Sequence, residues 1–213
     1  MHNITGNYLR AIFEGSYLTG KMSNKRLAKL LGVSPATTTE QVKKMCQKGL
    51  VTSSRYGAVS LSEEGEKKAE QLIKKFRLCE VWLDDEFGLP LAEIASQAWQ
   101  LASFNSQNLF EQLNQRLNFP TKTPFGASVQ EPRVLNTALL SLNSTKEQQK
   151  CILAEYLDNQ RVIDYVQQIG LEVGQEYFVE KIACDFDILF LSSKEKRQLM
   201  VSREVAKYIY VKC

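Results

Sequence analysis

The sequence is almost without histidine: among 213 residues the one imidazole is that of His2. A mechanism built on a histidine base, or a metal site built on several imidazoles, therefore starts with almost nothing. The five cysteines, at positions 46, 79, 151, 184 and 213, are odd in number and show no CxxC spacing. This argues against a disulfide framework and against a structural zinc module. There is no phosphate-cradling loop and no nucleophile–base pair, so the chain does not read as an enzyme. No apolar run approaches the ~20 residues needed to cross a bilayer, so no membrane partner is expected. Met1–Tyr8 lacks a basic stretch followed by an apolar one, and a cytoplasmic protein is expected.

The composition present is that of a globular chain, with 44% hydrophobic and 24% charged residues. The length suggests one or two domains with real cores. The net charge of +3 is unevenly spread. Residues 1–77 carry 14 Lys/Arg against 6 Asp/Glu, a net of +8; residues 78–213 carry 13 against 18, a net of −5. A basic third on an acidic remainder points to one segment that meets a polyanion.

The apolar spacing of Tyr8, Leu9, Ile12 and Phe13 predicts a short helix over Asn7–Glu14. Ser23 is placed to cap a helix over Asn24–Leu31, which Gly32 stops. Ser34, followed by Pro35 at the first helical position, opens a second that runs through Lys48 to Gly49. Two helices joined by about three residues including glycine match a helix-turn-helix. Leu50-Val51-Thr52 and Ala58-Val59-Ser60-Leu61, flanking Arg55-Tyr56-Gly57, predict the hairpin of a winged helix. Ser62-Glu63-Glu64-Gly65 starts a further helix running to about Asp84.

Apolar residues at Ile94, Ala98, Leu101, Leu109, Leu113 and Leu117 predict one helix over Leu91–Leu117, ended by Phe119-Pro120. Thr121–Arg133 reads as a loop. Strands are expected at Cys151–Leu157, Tyr177–Cys184, Asp187–Leu191 and Arg197–Val201, with helices at Arg161–Ile169 and Arg203–Tyr208. So many short strands suggest a small barrel.

A recognition helix presents its first turns to the major groove. Here these carry Ser34, Ala36, Thr37, Thr39 and Glu40, whose methyls and hydroxyls suit thymine methyls, base edges and phosphates. Lys25, Lys43, Lys44, Lys48 and Arg55 are candidate backbone contacts, the source of affinity and salt dependence. With no Arg or Gln set for an obvious bidentate base contact, DNA shape and methyl contacts are expected to carry specificity.

Several stretches together resemble the iron- and manganese-dependent repressors of the diphtheria toxin repressor family, particularly their three-domain, manganese-responsive members. They are Tyr8-Leu9-Arg10-Ala11-Ile12-Phe13-Glu14, Leu30–Pro35, Gly49-Leu50-Val51, Leu61-Ser62-Glu63-Glu64-Gly65, Lys75-Phe76-Arg77-Leu78-Cys79-Glu80, Asn118-Phe119-Pro120, Thr123-Pro124-Phe125-Gly126 and Val205-Ala206-Lys207-Tyr208-Ile209-Tyr210-Val211. The resemblance implies a mainly α protein with a small β domain. Residues 1–72 would form a winged helix-turn-helix DNA-binding domain, 73–122 a helical dimerisation domain, 123–139 a linker and 140–213 an SH3-like (FeoA-like) barrel. It also implies a homodimer that binds double-stranded DNA at a palindromic operator, activated by Mn or Fe(II), and represses.

Against that pattern the expected metal ligands are depleted. The family's acidic residue or Met before Tyr-Leu-Arg is Asn7, and the histidine of Lys-His-Arg-Leu is Phe76. The ligands of the dimerisation helix fall at Trp99, Ala102 and Ser103, and those of Cys-Pro-His-Gly at Thr123 and Phe125. Glu80 and Asp158 alone keep a ligand's chemistry, which is too few donors for an octahedral Mn or Fe(II) site. A DNA-binding regulator that works without metal, or answers another signal, is therefore expected. The alternatives are a partner that forms mixed dimers with a metal-competent relative, and a Mn/Fe-responsive repressor with a rebuilt site.

Each candidate also has a plainer role. Glu80 pairs with Arg77 on its own helix in that reading, Asp158 caps the helix after it, and Trp99, Phe104 and Phe76 are core rather than a ligand cavity. Cys46 and Cys79 are either redox sensors or inert buried thiols.

Overall fold

The computed structural model describes residues 4–19, 22–54, 58–104, 106–132, 139–195 and 197–213. The chain divides into two compact units, Met1–Phe76 with Gln100–Asn105, and Arg77–Trp99 with Ser106–Cys213.

The first unit opens with α1 (Ile4–Thr19), longer than the Asn7–Glu14 segment expected. Strand β1 (Met22–Ser23) and α2 (Asn24–Leu31) follow, with the Ser23 side chain accepting from the Arg26 N–H. Gly32, at φ 65°, ends α2 in the left-handed region that glycine enters without steric cost. Helix α3 (Pro35–Gln47) starts at the Ser34 cap and Pro35, as predicted. Strands β2 (Val51–Ser53) and β3 (Ala58–Leu61) pair antiparallel, and β1 joins them in the order β1-β3-β2. The expected hairpin tip, Arg55-Tyr56-Gly57, lies outside the described residues. Helix α4 (Glu63–Phe87) begins in this unit.

The core of this unit gathers the face that the helical spacing predicts, Tyr8, Leu9, Ile12 and Phe13 from α1, together with Val42 and Met45 from α3 and Ala69 and Ile73 from α4. Gly65 sets how close α4 comes to the turn before β2. A Cβ there would sit 1.9 Å from the Leu50 carbonyl oxygen, so any side chain would push the helix away.

The expected single helix over Leu91–Leu117 is a pair: α5 (Leu91–Leu101) and α6 (Gln107–Arg116). Ser106 opens the second by accepting from the Leu109 N–H. The apolar spacing continues across the break, and periodicity alone therefore hid it.

In the second unit, the loop 121–130 folds back on itself through a Lys122–Ser128 bridge and a Thr123 N–H to Ala127 carbonyl bond. Residues 133–138 of the expected linker lie outside the described residues. The C-terminal β domain is a six-stranded antiparallel sheet in the order β4-β9-β5-β6-β7-β8. Its strands are β4 (Leu139–Ser141), β5 (Gln149–Tyr156), β6 (Glu176–Ala183), β7 (Ile188–Ser193), β8 (Gln198–Ser202) and β9 (Ile209–Lys212). Four were expected; β4 and β9 are additions. Helix α7 (Gln160–Ile169) buries Val162, Ile163 and Val166, and α8 (Arg203–Ala206) is shorter than predicted.

Candidate nucleic-acid interface

Helix α3 buries Thr38, Val42 and Met45 and turns its other faces outward. Ser34, Ala36, Thr37, Thr39, Glu40, Lys43, Lys44 and Lys48 are all exposed, as is Lys25 on α2, while Arg55 falls outside the described residues. The buried side chain in this run of threonines is Thr38.

Local bonds narrow what the exposed groups do. The Ser34 hydroxyl accepts from the Thr37 N–H at 3.1 Å and lies 2.8 Å from the Thr37 hydroxyl. Thr39 donates to the Pro35 carbonyl at 2.9 Å. Glu40 and Lys44 pair at 2.7 Å, and the ammonium holds the Glu40 carboxyl below its ordinary range. The hydroxyls are thus partly committed to fixing the first turn, which leaves the Ala36 and Thr methyls and Lys43 as the less encumbered contacts. Gln47, also exposed, lies at the far end of α3 and was not singled out from the sequence.

The positions that the resemblance matches to metal ligands are divided between the two units. In the first unit Asn7 is half-buried, Ala102 buried and Ser103 exposed. Phe76 is fully buried, and the Arg10 guanidinium lies 3.9 Å from its ring centroid, while Arg10 also pairs with Glu14 at 2.6 Å. A cation over a ring face is attracted by the ring quadrupole; a phenyl has no lone pair to offer a metal.

In the second unit Trp99 is half-buried. Phe125 is fully buried and packs edge-on against Tyr156, ring centroids 5.7 Å apart, with the Tyr156 N–H donating to the Phe125 carbonyl at 3.1 Å. Thr123 turns its hydroxyl to its own loop and accepts from the Phe125 N–H at 3.2 Å. Gly126, at φ 85°, lets the loop approach β5: a Cβ would lie 2.1 Å from the Ala154 carbonyl oxygen. Glu80 and Asp158 are both buried.

Two of the plainer expectations fail. Phe104, expected in the core, is exposed. Asp158 does not cap α7; the cap is Asn159, whose side chain accepts from the Arg161 N–H. Arg77 reaches the Ser128 carbonyl at 2.6 Å, tying α4 to the loop. Burial pushes the Glu155 carboxyl up, Arg77 and Lys122 pull it back, and Asp158 adds to the rise. Among the described residues, no group of three or more His, Cys, Asp or Glu is placed to hold a metal ion.

The family model for the iron dependent repressor N-terminal DNA binding domain matches residues 2–59. That for the iron dependent repressor metal binding and dimerisation domain matches residues 62–130. The chain belongs to the iron-dependent repressor family. This is a family of transcriptional repressors rather than enzymes. The iron-dependent repressor IdeR of Mycobacterium tuberculosis is 31% identical over 122 residues, 57% of this chain and 53% of that protein. The diphtheria toxin repressor of Corynebacterium efficiens is 30% identical over the same shares. The chain thus spans about half the length of the curated relatives it matches. The structure of the manganese regulator SloR superposes with a TM-score of 0.87 at 28% identity, covering 100% of this chain and 99% of that one. ScaR with bound Cd2+ gives 0.86 at 27%, covering 99% of each.

Proposed function

We propose that this protein is a homodimeric, DNA-binding transcriptional repressor whose grip on a palindromic operator does not depend on Mn or Fe(II). The observation that carries DNA binding is α3: a capped helix with one apolar side anchored in the core and an outward face bearing Lys43, Lys44 and Lys48. Lys25, exposed on α2, adds to this charge, and Arg55 is a further candidate from the sequence. The lysines neutralise phosphates and supply affinity. Ala36, Thr37 and Thr39 meet base edges through methyls, while Ser34 holds the first turn and Glu40 orients Lys44.

Metal independence is supported by Phe76 and Phe125. Both rings fall where the family's motifs carry imidazoles, and both are fully buried, Phe76 beneath the Arg10 guanidinium and Phe125 edge-on against Tyr156. The residues present do not fit a Mn or Fe(II) site, which calls for several N and O donors in octahedral geometry.

The test is fluorescence anisotropy on a selected operator, first with excess chelator and then with added Mn2+ or Fe2+. The expected result is sequence-dependent binding in chelator, unchanged by metal. Binding that appears with metal alone would overturn metal independence and leave DNA binding standing.

A further inference from the structure

We infer that Cys151 and Cys213 form a redox-active pair whose closure into an intramolecular disulfide fastens the last strand of the C-terminal sheet. The two residues are 62 positions apart, and only the sheet brings them together. Strands β5 and β9 pair antiparallel with Ile152 opposite Lys212 and Leu153 opposite Val211. Extended one residue past the end of β9, the same register sets Cys213 opposite Cys151.

Directly opposed residues of an antiparallel pair have Cα atoms about 4.5 or 5.5 Å apart. Both spacings lie inside the ~4.4–6.8 Å window of a disulfide. Paired residues also share a face, and Cys151 is on the buried one. After burial, charge at Cys213 contributes to the raising of the Cys151 thiol. Both cysteines are free thiols, Cys151 buried and Cys213 exposed, so a small oxidant reaches the second first.

The chemistry balances with a low-molecular-weight disulfide as oxidant. The Cys213 thiol gives its proton to solvent and attacks one sulfur of the small disulfide, expelling one small thiolate and leaving a mixed disulfide. Cys151, deprotonated in turn, attacks the Cys213 Sγ and expels the second small thiolate. Two protein thiols have then lost two electrons and two protons, and the small disulfide has become two thiols. With Cys151 on β5 and Cys213 directly after β9, the new bond fastens β9 to β5. Burial raises both thiols, Cys151 to about 12, so closure is slow at neutral pH and quickens as pH rises.

The experiment incubates the full chain with oxidised glutathione between pH 7 and 9, blocks remaining thiols by alkylation, and digests without reduction using a Glu-specific protease. The expected product is a fragment of residues 148–155 joined to one of residues 205–213. Two of the five thiols per chain are lost, Cys79 is still alkylatable after unfolding, and the rate climbs about tenfold per pH unit. C184S closes at the wild-type rate, and in C213S the Cys151 thiol remains reduced. A glutathione adduct persisting on Cys213 beside a free Cys151 would overturn the proposal. So would disulfides between chains, or retention of all five thiols at pH 9. The readout is covalent and is independent of DNA binding.

Discussion

At Gly65 a methyl group decides whether α4 can seat against the Leu50 turn, because the added carbon would meet a backbone oxygen rather than a movable side chain. Gly65→Ala is expected to destabilise the first unit by about 1–3 kcal/mol, the usual range for overpacking, read as a lower midpoint in urea. Cys79 shows the opposite kind of constraint. Burial, with Glu80 beside it, pushes its thiol up to about 12, so in the native protein at pH 8 it is expected to resist iodoacetamide and to react after unfolding. Glu155 titrates in a direction that makes stability pH-dependent. Its carboxyl is raised by burial, against the pull of Arg77 and Lys122. A carboxyl raised in the folded state favours folding below its unfolded value, and that contribution is lost as pH rises through the folded one. Glu155→Gln is therefore expected to match the wild-type Tm near pH 4 and exceed it at pH 7. A gain confined to acid would contradict this assignment. None of these residues announces its surroundings in the sequence: a glycine in a helix start, a cysteine and a glutamate look the same whether packed or solvated.

Among the elements, α2 and α3 were legible because caps and stops are local. Ser23, Gly32, Ser34 and Pro35 act through bonds and dihedrals within four residues, and each does in the structure what its type predicts. Replacing Ser34 by Ala removes the oxygen that satisfies the Thr37 N–H and is expected to cost about 1 kcal/mol, checked by thermal unfolding followed by helix signal. The break between α5 and α6 was hidden, since apolar residues keep helical spacing on both sides of it while Ser106 alone marks the restart. Strands β4 and β9 were missed for another reason. Their identity lies in pairing with each other and with β5, residues far off in the chain. Asn159 took the capping role expected of Asp158, a shift of one residue that two adjacent competent caps cannot resolve by type alone.

For the whole molecule, the charge partition carries the strongest expectation. With +8 on residues 1–77 and −5 on residues 78–213, DNA affinity should fall steeply with salt, and the slope counts the phosphates neutralised. Lys43→Ala and Lys44→Ala are each expected to weaken binding about equally on all sequences and to reduce the salt slope by about one. A variant that changed sequence preference while keeping the slope would place that lysine on a base. The sequence by itself determined the helix-turn-helix, the basic face of α3 and the family, because these rest on local capping, periodicity and contiguous motifs. Only the tertiary structure decided the contacts Arg10 over Phe76 and Tyr156 against Phe125. Such contacts join residues far apart in the chain, and their partners are chosen by strand register and helix packing, which no local pattern encodes.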